Sequence, residues 1–392
     1  MSQSKVYTIK SQNQVINSLI LEIINASHEE AFLLDINGNY TMNDTYRQII
    51  EMEMYKTYLI YHLEFPNLPY VPNPNLTVNI YNGARIDAYC KNGISYSLGI
   101  KTGFEELKNG TLYGKSIGYD IQDDGQIIYN PNGQTKKMKT NLFNKEDGTP
   151  YILKKGQEIE HDFERETGDL YYYLNDFKYE IELFFTIPHE MAHQFGFTSG
   201  IFEGLTENIA REVSYNYGLM NSPFARKDLV KLMQKIEKVI GRDTLVQYAH
   251  TYNEISERSN EISRAIDRVI NPSQRDIFLH FFIANNAYEE YNAKVEDSIV
   301  ARIKQGDITE DETYDILSSD STLTNLTLNF FTFRDKLSEM LDSYIKQNPH
   351  SLFKLGETSF TGSDKDFEEV ISFQQSEIVY LQQILNIVKG SN

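Results

Sequence analysis

The spacing of apolar residues changes twice along the chain, and this is the strongest constraint on its fold. Near the N-terminus Val15, Leu19 and Ile23 recur with the spacing of one helical face. From Leu76 to about Leu142, runs such as LTVNIY and QIIYNPNG favour short strands joined by tight turns. From about Glu158 the helical spacing returns and continues almost to the C-terminus. The pattern predicts an α+β fold in which helices flank a small antiparallel sheet.

The chain is long enough for several packed parts. Its 392 residues exceed the size, roughly 250 to 300 residues, at which one hydrophobic core stops growing. We predict an N-terminal region over residues 1–157 with two helices and the sheet, a catalytic segment over 158–222, and a mainly helical C-terminal subdomain over 223–392. The two N-terminal helices are expected between about Val15 and Phe65. The segment DFKYEIELFFTI, residues 176–187, fits the spacing of a strand or of a helix.

Charge and cysteine content exclude several classes of protein. Acidic residues outnumber basic ones 56 to 37, for a formal charge of -19, which disfavours binding to nucleic acid or to an anionic membrane surface. A single cysteine, Cys90, allows neither an intramolecular disulfide nor a thiolate metal cluster. We expect no membrane span, because the chain has no run of about 18 apolar residues. The compartment stays open between the cytoplasm and secretion with removal of a signal.

The segment IPHEMAHQFG, residues 187–196, contains two histidines four residues apart and a glutamate directly after the first. On a helix of 3.6 residues per turn, His189 and His193 project from one face, so both imidazoles can reach one ion. Glu190 lies beside that ion and can accept a proton from a metal-activated water. The pattern predicts one Zn2+ per chain with Glu190 as general base. The structural alternative is an amphipathic helix that carries two polar histidines.

A catalytic zinc site usually has three protein ligands and leaves the fourth position open for water. Downstream of the histidines lies GIFEGLTENIAREV, in which Glu203 and Glu207 are four residues apart and share a helix face. Glu212 points elsewhere on the same helix. From the residues alone, all three glutamates remain candidates for the third ligand.

The combination of HEMAH with a following EGLTE resembles the gluzincin zinc metallopeptidases, including uncharacterised bacterial members, over residues 186–217. The resemblance implies a zincin-like core in which a second helix supplies a glutamate ligand. It assigns Glu203 as that ligand and Glu207 as a carboxylate that orients a histidine or the water. Glu212 remains an alternative, because its distance of nineteen residues from His193 resembles the thermolysin-like branch.

A second likeness lies upstream, in the run IDAYCKNGISYSLGI, residues 86–100. This run resembles the edge-strand region that precedes the active-site helix in several zincin peptidases, where an extended substrate pairs with the strand. An ordinary hairpin is the structural alternative. Cys90 within the run is expected to be a small buried residue and not a metal ligand.

These patterns predict a zinc-dependent metallopeptidase, a hydrolase that acts on a peptide or protein substrate. The alternatives are a catalytically silent zincin-like binding module and a metallohydrolase that acts on a non-peptide amide or ester. Candidate donors to the reaction's oxyanion are Arg211, Tyr215 and Tyr217. The remaining histidines are expected to be surface or packing residues: His28, His62, His161, His250, His280 and His350.

Overall fold

The computed structural model describes residues 2–36, 38–68, 74–81, 88–90, 93–101, 119–121, 127–129, 136–137, 178–195, 202–221, 227–251, 255–270, 276–307, 316–317, 319–356 and 362–390. Its principal helices are α1 Ser2–Ala26, α2 Asp44–Glu64, α3 Glu180–Phe185, α4 Ile187–Gln194, α5 Phe202–Tyr217, α6 Lys227–Ile240, α7 Arg242–Thr251, α8 Ile255–Val269, α9 Ile277–Gln305, α10 Ser321–Gln347 and α11 Asp364–Gly390. Its strands are β1 Phe32–Leu34, β2 Tyr40–Met42, β3 Val78–Tyr81, β4 Ala88–Cys90, β5 Ile94–Ser97, β6 Tyr119–Ile121, β7 Ile127–Tyr129 and β8 Lys136–Lys137.

The predicted α+β class is confirmed at this level, with long helices and small sheets. Two N-terminal helices, α1 and α2, are present, and the antiparallel hairpin β1–β2 lies between them. Asn43 begins α2, because its side chain accepts a hydrogen bond from the backbone N–H of Thr45 and so satisfies one free donor of the first turn.

The sheet of residues 78–97 has the strand order β3-β5-β4. The central strand β5 pairs with β4 in antiparallel fashion but with β3 in parallel fashion. The prediction of an antiparallel sheet is therefore wrong for this pairing, because β5 enters between the two strands that precede it in the chain. The sheet β6-β7-β8 is antiparallel throughout, as predicted.

The ambiguous segment before the histidine motif forms a helix, α3. Leu183, Phe184 and Phe185 are consecutive and all buried, and Ile181 is buried as well. A half-buried strand would expose every second residue, whereas a short helix enclosed by neighbours can bury adjacent ones. Enclosure by the surrounding elements therefore decided the conformation.

Contacts divide the chain into two compact units. Unit 1 comprises residues 1–195, 209–225 and 361–392, and unit 2 comprises residues 196–208 and 226–360. Helix α5 begins in unit 2 and ends in unit 1. The domain boundaries expected from the sequence stay predictions.

Unit 1 contains a bundle in which α11 packs against both α1 and α2. A buried ionic cluster joins α11 to α2, where the Lys56 ammonium contacts Glu53 and lies 3.3 Å from the Glu377 carboxylate. Burial raises the pKa of Glu377 well above its usual value, and the Lys56 charge offsets this effect only in part. Glu377 therefore binds its proton more tightly in the folded protein than an exposed glutamate does.

Unit 2 contains the helices α6 to α10. The buried Glu237 on α6 accepts hydrogen bonds from the Asn208 side chain, at 2.9 Å, and from the backbone N–H of Gly356, at 2.6 Å. These bonds fasten the first part of α5 and the segment after α10 to one carboxylate. Among the helices in the described ranges, none is both long and apolar enough to cross a membrane.

Candidate metal centre

Helix α4, which carries the histidine motif, is only eight residues long. Pro188 lies in its first turn, where the missing N–H of proline leaves no intrahelical bond unmade. Met191 and Ala192 face the interior and are fully buried. A helix of this length is marginal in water by itself, so its position depends on the elements around it.

Two buried tyrosines hold the backbone at and before the start of α4. The Tyr61 hydroxyl, on α2, donates a hydrogen bond of 2.9 Å to the carbonyl of Pro188. The Tyr96 hydroxyl, on β5, donates one of 2.7 Å to the carbonyl of Leu183 at the preceding helix α3. Both rings are fully enclosed, so these bonds fix the start of the helix from two sides.

The other end of α4 is fastened to the segment that leads into β3. The Gln194 side chain accepts a hydrogen bond from the backbone N–H of Asn75 at 3.1 Å and donates one of 2.9 Å to its carbonyl. Strand β4 also packs against α4. The histidine helix thus has contacts with α2, with the sheet and with the segment before it.

The two histidines of α4 lie next to each other on its half-buried face. The ring centroids of His189 and His193 are 4.9 Å apart, with their planes at 81°. This is the placement that the four-residue spacing predicts on a helix. Both rings therefore lie on the same side of the helix.

Glu203 joins the two histidines. One imidazole nitrogen from His189, one from His193 and one carboxylate oxygen from Glu203 all lie within 4.8 Å of one another. Bonds from zinc to such ligands are about 2 Å long, so ligand atoms that share one ion lie within about 4 Å of each other. Adjustments of at most about 1 Å would bring the three groups to a common ion, and the donor set of two imidazoles and one carboxylate is one that zinc prefers.

Gly204 explains why a glycine follows Glu203. A Cβ atom at this position would lie 2.7 Å from the Cβ of Leu229 on α6 and 3.3 Å from the Leu229 backbone. Within unit 2, the first turn of α5 therefore approaches α6 more closely than any larger residue allows. Close packing against α6 therefore explains why the glutamate of the EGLTE motif is followed by glycine in this chain.

The two alternative ligands are buried elsewhere on α5. Glu207 and Glu212 are 1% and 2% exposed, whereas Glu203 is half-buried. Within the described residues, the one group with metal-binding spacing contains Glu203 and neither of the other two. This favours Glu203 as the third ligand, and the orienting role of Glu207 stays a prediction.

Glu190 is next to the first histidine in the chain, and Cys90 is close enough to Glu190 for its charge to act on the thiol. Glu190 follows His189 directly and is 5% exposed. Burial, and after it the negative charge of Glu190, raises the pKa of the Cys90 thiol to about 11. A thiol that keeps its proton is a poor metal ligand, and Cys90 is not in the ligand group.

Two of the three candidate oxyanion donors, Tyr215 and Tyr217, lie toward the far end of α5. Tyr215 and Tyr217 are twelve and fourteen residues beyond Glu203, which at about 1.5 Å per residue corresponds to roughly 18 to 21 Å along the helix. The Tyr217 hydroxyl donates a 2.7 Å hydrogen bond to the Glu64 carboxylate. The Tyr217 side chain thus holds the end of the helix, and neither tyrosine lies in the turn that carries Glu203. Arg211 is buried in the middle of α5.

His280 stacks on Phe333 and contacts the carbonyl of Asp276, as expected of a packing histidine. His161 and the side chain of His250 lie outside the described residues. The supports Tyr61, Tyr96 and Gln194 were not expected, because an isolated tyrosine or glutamine has no pattern that marks it.

No family model matches the chain, and searches of curated proteins and of solved structures likewise find no match. The resemblance to gluzincins therefore rests on the residues of the two motifs.

Proposed function

We propose that this protein is a zinc-dependent metallopeptidase. The observation that carries the proposal is the convergence of His189, His193 and Glu203, which come from two helices and place their ligand atoms within 4.8 Å of one another. Three protein ligands of this kind leave a fourth position for water or substrate, as catalytic zinc sites do.

The residues divide the chemistry as follows. His189, His193 and Glu203 would hold the ion. When bound, zinc supplies Lewis acidity, which makes water a nucleophile at neutral pH and polarises a carbonyl oxygen. Glu190 accepts the proton of the attacking water and then delivers it to the departing amine. Glu190 is only 5% exposed, and a carboxylate shielded from water interacts more strongly with a nearby positive charge.

A peptide is the substrate that the surroundings favour. Among the described strands, β4 is at an edge of its sheet, and it packs against α4, the helix that carries the histidines. An edge strand offers backbone N–H and C=O groups with which an extended peptide can pair. The chain's charge of -19 adds a preference for neutral or basic peptides over acidic ones.

Two variants test the assignment. In Glu190→Gln we expect about one zinc per chain by native mass spectrometry, as in the wild type, and a loss of kcat/KM of at least about 100-fold, because a general base contributes that much. In His193→Ala we expect the zinc itself to be lost. Unchanged turnover of a peptide library by Glu190→Gln would disprove the general-base role.

The same measurements distinguish the alternatives. A wild-type chain that binds zinc and retains peptides without cleaving them would be a binding module. Cleavage confined to non-peptide amides or esters would keep the mechanism and change the substrate. A wild-type chain without zinc affinity would remove the proposal altogether.

A further inference from the structure

The C-terminal end of the glutamate helix α5 lies on the first helix of the chain, within unit 1. Three side chains of α1, spaced along one face, donate hydrogen bonds to three of its terminal carbonyl groups. The Lys10 ammonium reaches the carbonyl of Tyr215 at 2.7 Å, the Asn13 amide reaches that of Tyr217 at 2.7 Å, and the Asn17 amide reaches that of Gly218 at 2.9 Å. We call these three donors the α1 clamp.

The chemistry of the α1 clamp matches what a helix end needs. The last carbonyls of a helix have no intrahelical partner and together have a partial negative charge. Two amides and an ammonium supply the missing donors, and the Lys10 ammonium also lies 4.5 Å from the centre of the Tyr215 ring. Three carbonyls at this end are therefore bound by donors from one face of α1.

Gly218 shows how closely the two helices meet. Its φ of +74° ends α5 in the left-handed region, which glycine adopts readily. A Cβ atom here would lie 3.1 Å from the Lys10 carbonyl and 3.6 Å from the Asn13 Cβ. Backbone conformation and space thus both require glycine at the contact with α1.

Asn13 is the centre of this arrangement. It is fully buried, and its oxygen accepts a 2.8 Å hydrogen bond from Gln374 on α11, while its nitrogen donates to α5. The two halves of one amide therefore serve two different helices. A substitution can remove one function and leave the other.

We infer that the α1 clamp, and Asn13 above all, positions Glu203 for zinc binding by fixing the location of α5 along its own axis. This inference rests on the proposed zinc site. An α-helix is stiff, so a shift at its last turn moves the first turn by a similar amount. In a formed site the metal–ligand distances lie within about 0.2 Å of their standard values, so a slide of α5 that the Glu203 side chain cannot make up weakens the ion's third ligand. Asn13 is a positioning residue and does not contact the ion.

The test compares Asn13→Asp with Gln374→Leu in the full-length protein. Asn13→Asp keeps the oxygen that accepts from Gln374 but loses the donor to Tyr217. Gln374→Leu removes the bond on the other side of Asn13 and leaves the contact with α5. For both, the zinc dissociation constant is measured by competition with a chelator, without substrate, alongside the thermal unfolding midpoint.

We expect both variants to unfold at lower temperature than the wild type, but Asn13→Asp alone to raise the zinc dissociation constant, by about tenfold, the lower end of the loss seen when a group that orients a metal ligand directly is removed. Equal zinc affinity in the two variants would overturn the inference. If Asn13→Asp does not fold, Lys10→Met is tested in its place. It removes one peripheral donor of the α1 clamp and must raise the zinc dissociation constant severalfold if the inference is right. Zinc binding absent from the wild type would instead disprove the proposed function.

Discussion

The histidine helix α4 and the glutamate helix α5 are held in different ways. Helix α4 has eight residues; the Tyr61 side chain of α2 binds its backbone at the start, and its own Gln194 side chain binds the Asn75 backbone at the end. Helix α5 has sixteen residues and is held by close packing at Gly204 and by the α1 clamp at its C-terminal end. The short helix is placed by hydrogen bonds to its neighbours, and the long one by the contacts of its ends.

This difference follows from the length of the two helices. A two-turn helix has too few internal hydrogen bonds to persist alone, so each external bond matters to whether it forms. A helix of four turns is a stiff rod, so its contacts matter to where it lies. Damage to the supports of α4 should therefore disorder the histidines, while damage to those of α5 should displace an intact Glu203.

The largest effect is expected for Gly204→Ala. The new Cβ atom would lie 2.7 Å from the Leu229 Cβ, so α5 or α6 must move. Overpacking of this kind costs about 1 to 3 kcal/mol. That cost exceeds the gain of up to about 1 kcal/mol that alanine brings to a helix interior. We expect a lower unfolding midpoint and a zinc dissociation constant at least about tenfold higher, measured as for Asn13→Asp.

Gly390→Ala is the matched control, because a Cβ atom there meets no atom within 4 Å. A second change, Leu229→Gly, removes the clashing Cβ atom and should reduce the cost of Gly204→Ala in a double-mutant cycle. Equal costs in the two backgrounds would show that the contact does not place α5.

A smaller effect is expected for Tyr61→Phe, which tests the support of α4. The change removes the 2.9 Å hydrogen bond to the Pro188 carbonyl and keeps the ring. Loss of one buried hydrogen bond costs about 1 kcal/mol. Because the bond lies in the first turn of α4, we also expect faster hydrogen exchange of the amides of residues 189–193, measured by mass spectrometry.

Tyr179→Phe provides the control for this variant. The hydroxyl of Tyr179, the residue at the start of α3, accepts a 3.1 Å hydrogen bond from the backbone N–H of Phe32, and this bond does not involve the α4 backbone. Its loss should lower stability by a similar amount and leave exchange in α4 unchanged. Equal exchange in the two variants would mean that Tyr61 does not stabilise the histidine helix.

The smallest change in stability at neutral pH is expected for Glu377→Gln. This variant tests whether the support of α4 extends through α2 to its contact with α11. The folded-state pKa of Glu377 is raised, mainly by burial, so its proton is bound more tightly in the folded than in the unfolded chain. The stability that this proton contributes is complete below the usual glutamate pKa and is lost as pH rises through the elevated one.

An amide resembles the protonated acid, so Glu377→Gln should stay within about 1 kcal/mol of the wild type at neutral pH. Its unfolding midpoint should also fall less than that of the wild type as the pH is raised. Zinc affinity should not change. Glu22→Gln, which alters an exposed carboxylate in the same unit, is the control and should keep the wild-type slope. A slope in Glu377→Gln equal to that of the wild type would disprove the link to this proton.

Much of the candidate site could be predicted from the sequence because its signals are local. The spacing of His189 and His193 places both rings on one face of any helix, whereas the role of Glu190 as general base stays a prediction. The third ligand could not be singled out in this way. Glu203, Glu207 and Glu212 share one helix, and the choice depends on how that helix lies against its neighbours.

The remaining features depend on partners that are distant in the chain. Asn13 and Tyr217 are 204 residues apart, and Tyr61 and Pro188 are 127 apart, so no local pattern marks either pair. The parallel pairing of β3 with β5 was missed for a related reason. Strand-like spacing identifies a strand but does not say beside which strand it will lie.

The sequence by itself determined the α+β class, the helix that bears the histidines and the type of ligand available to a metal, because periodicity and residue chemistry act over one or two turns. Tertiary structure alone decided that α3 is a helix and that α1 binds the end of α5, and it places Glu203, which the motif resemblance had favoured, in the one described group with metal-binding spacing. These outcomes depend on burial and on hydrogen bonds between remote segments, which form only when the chain has folded.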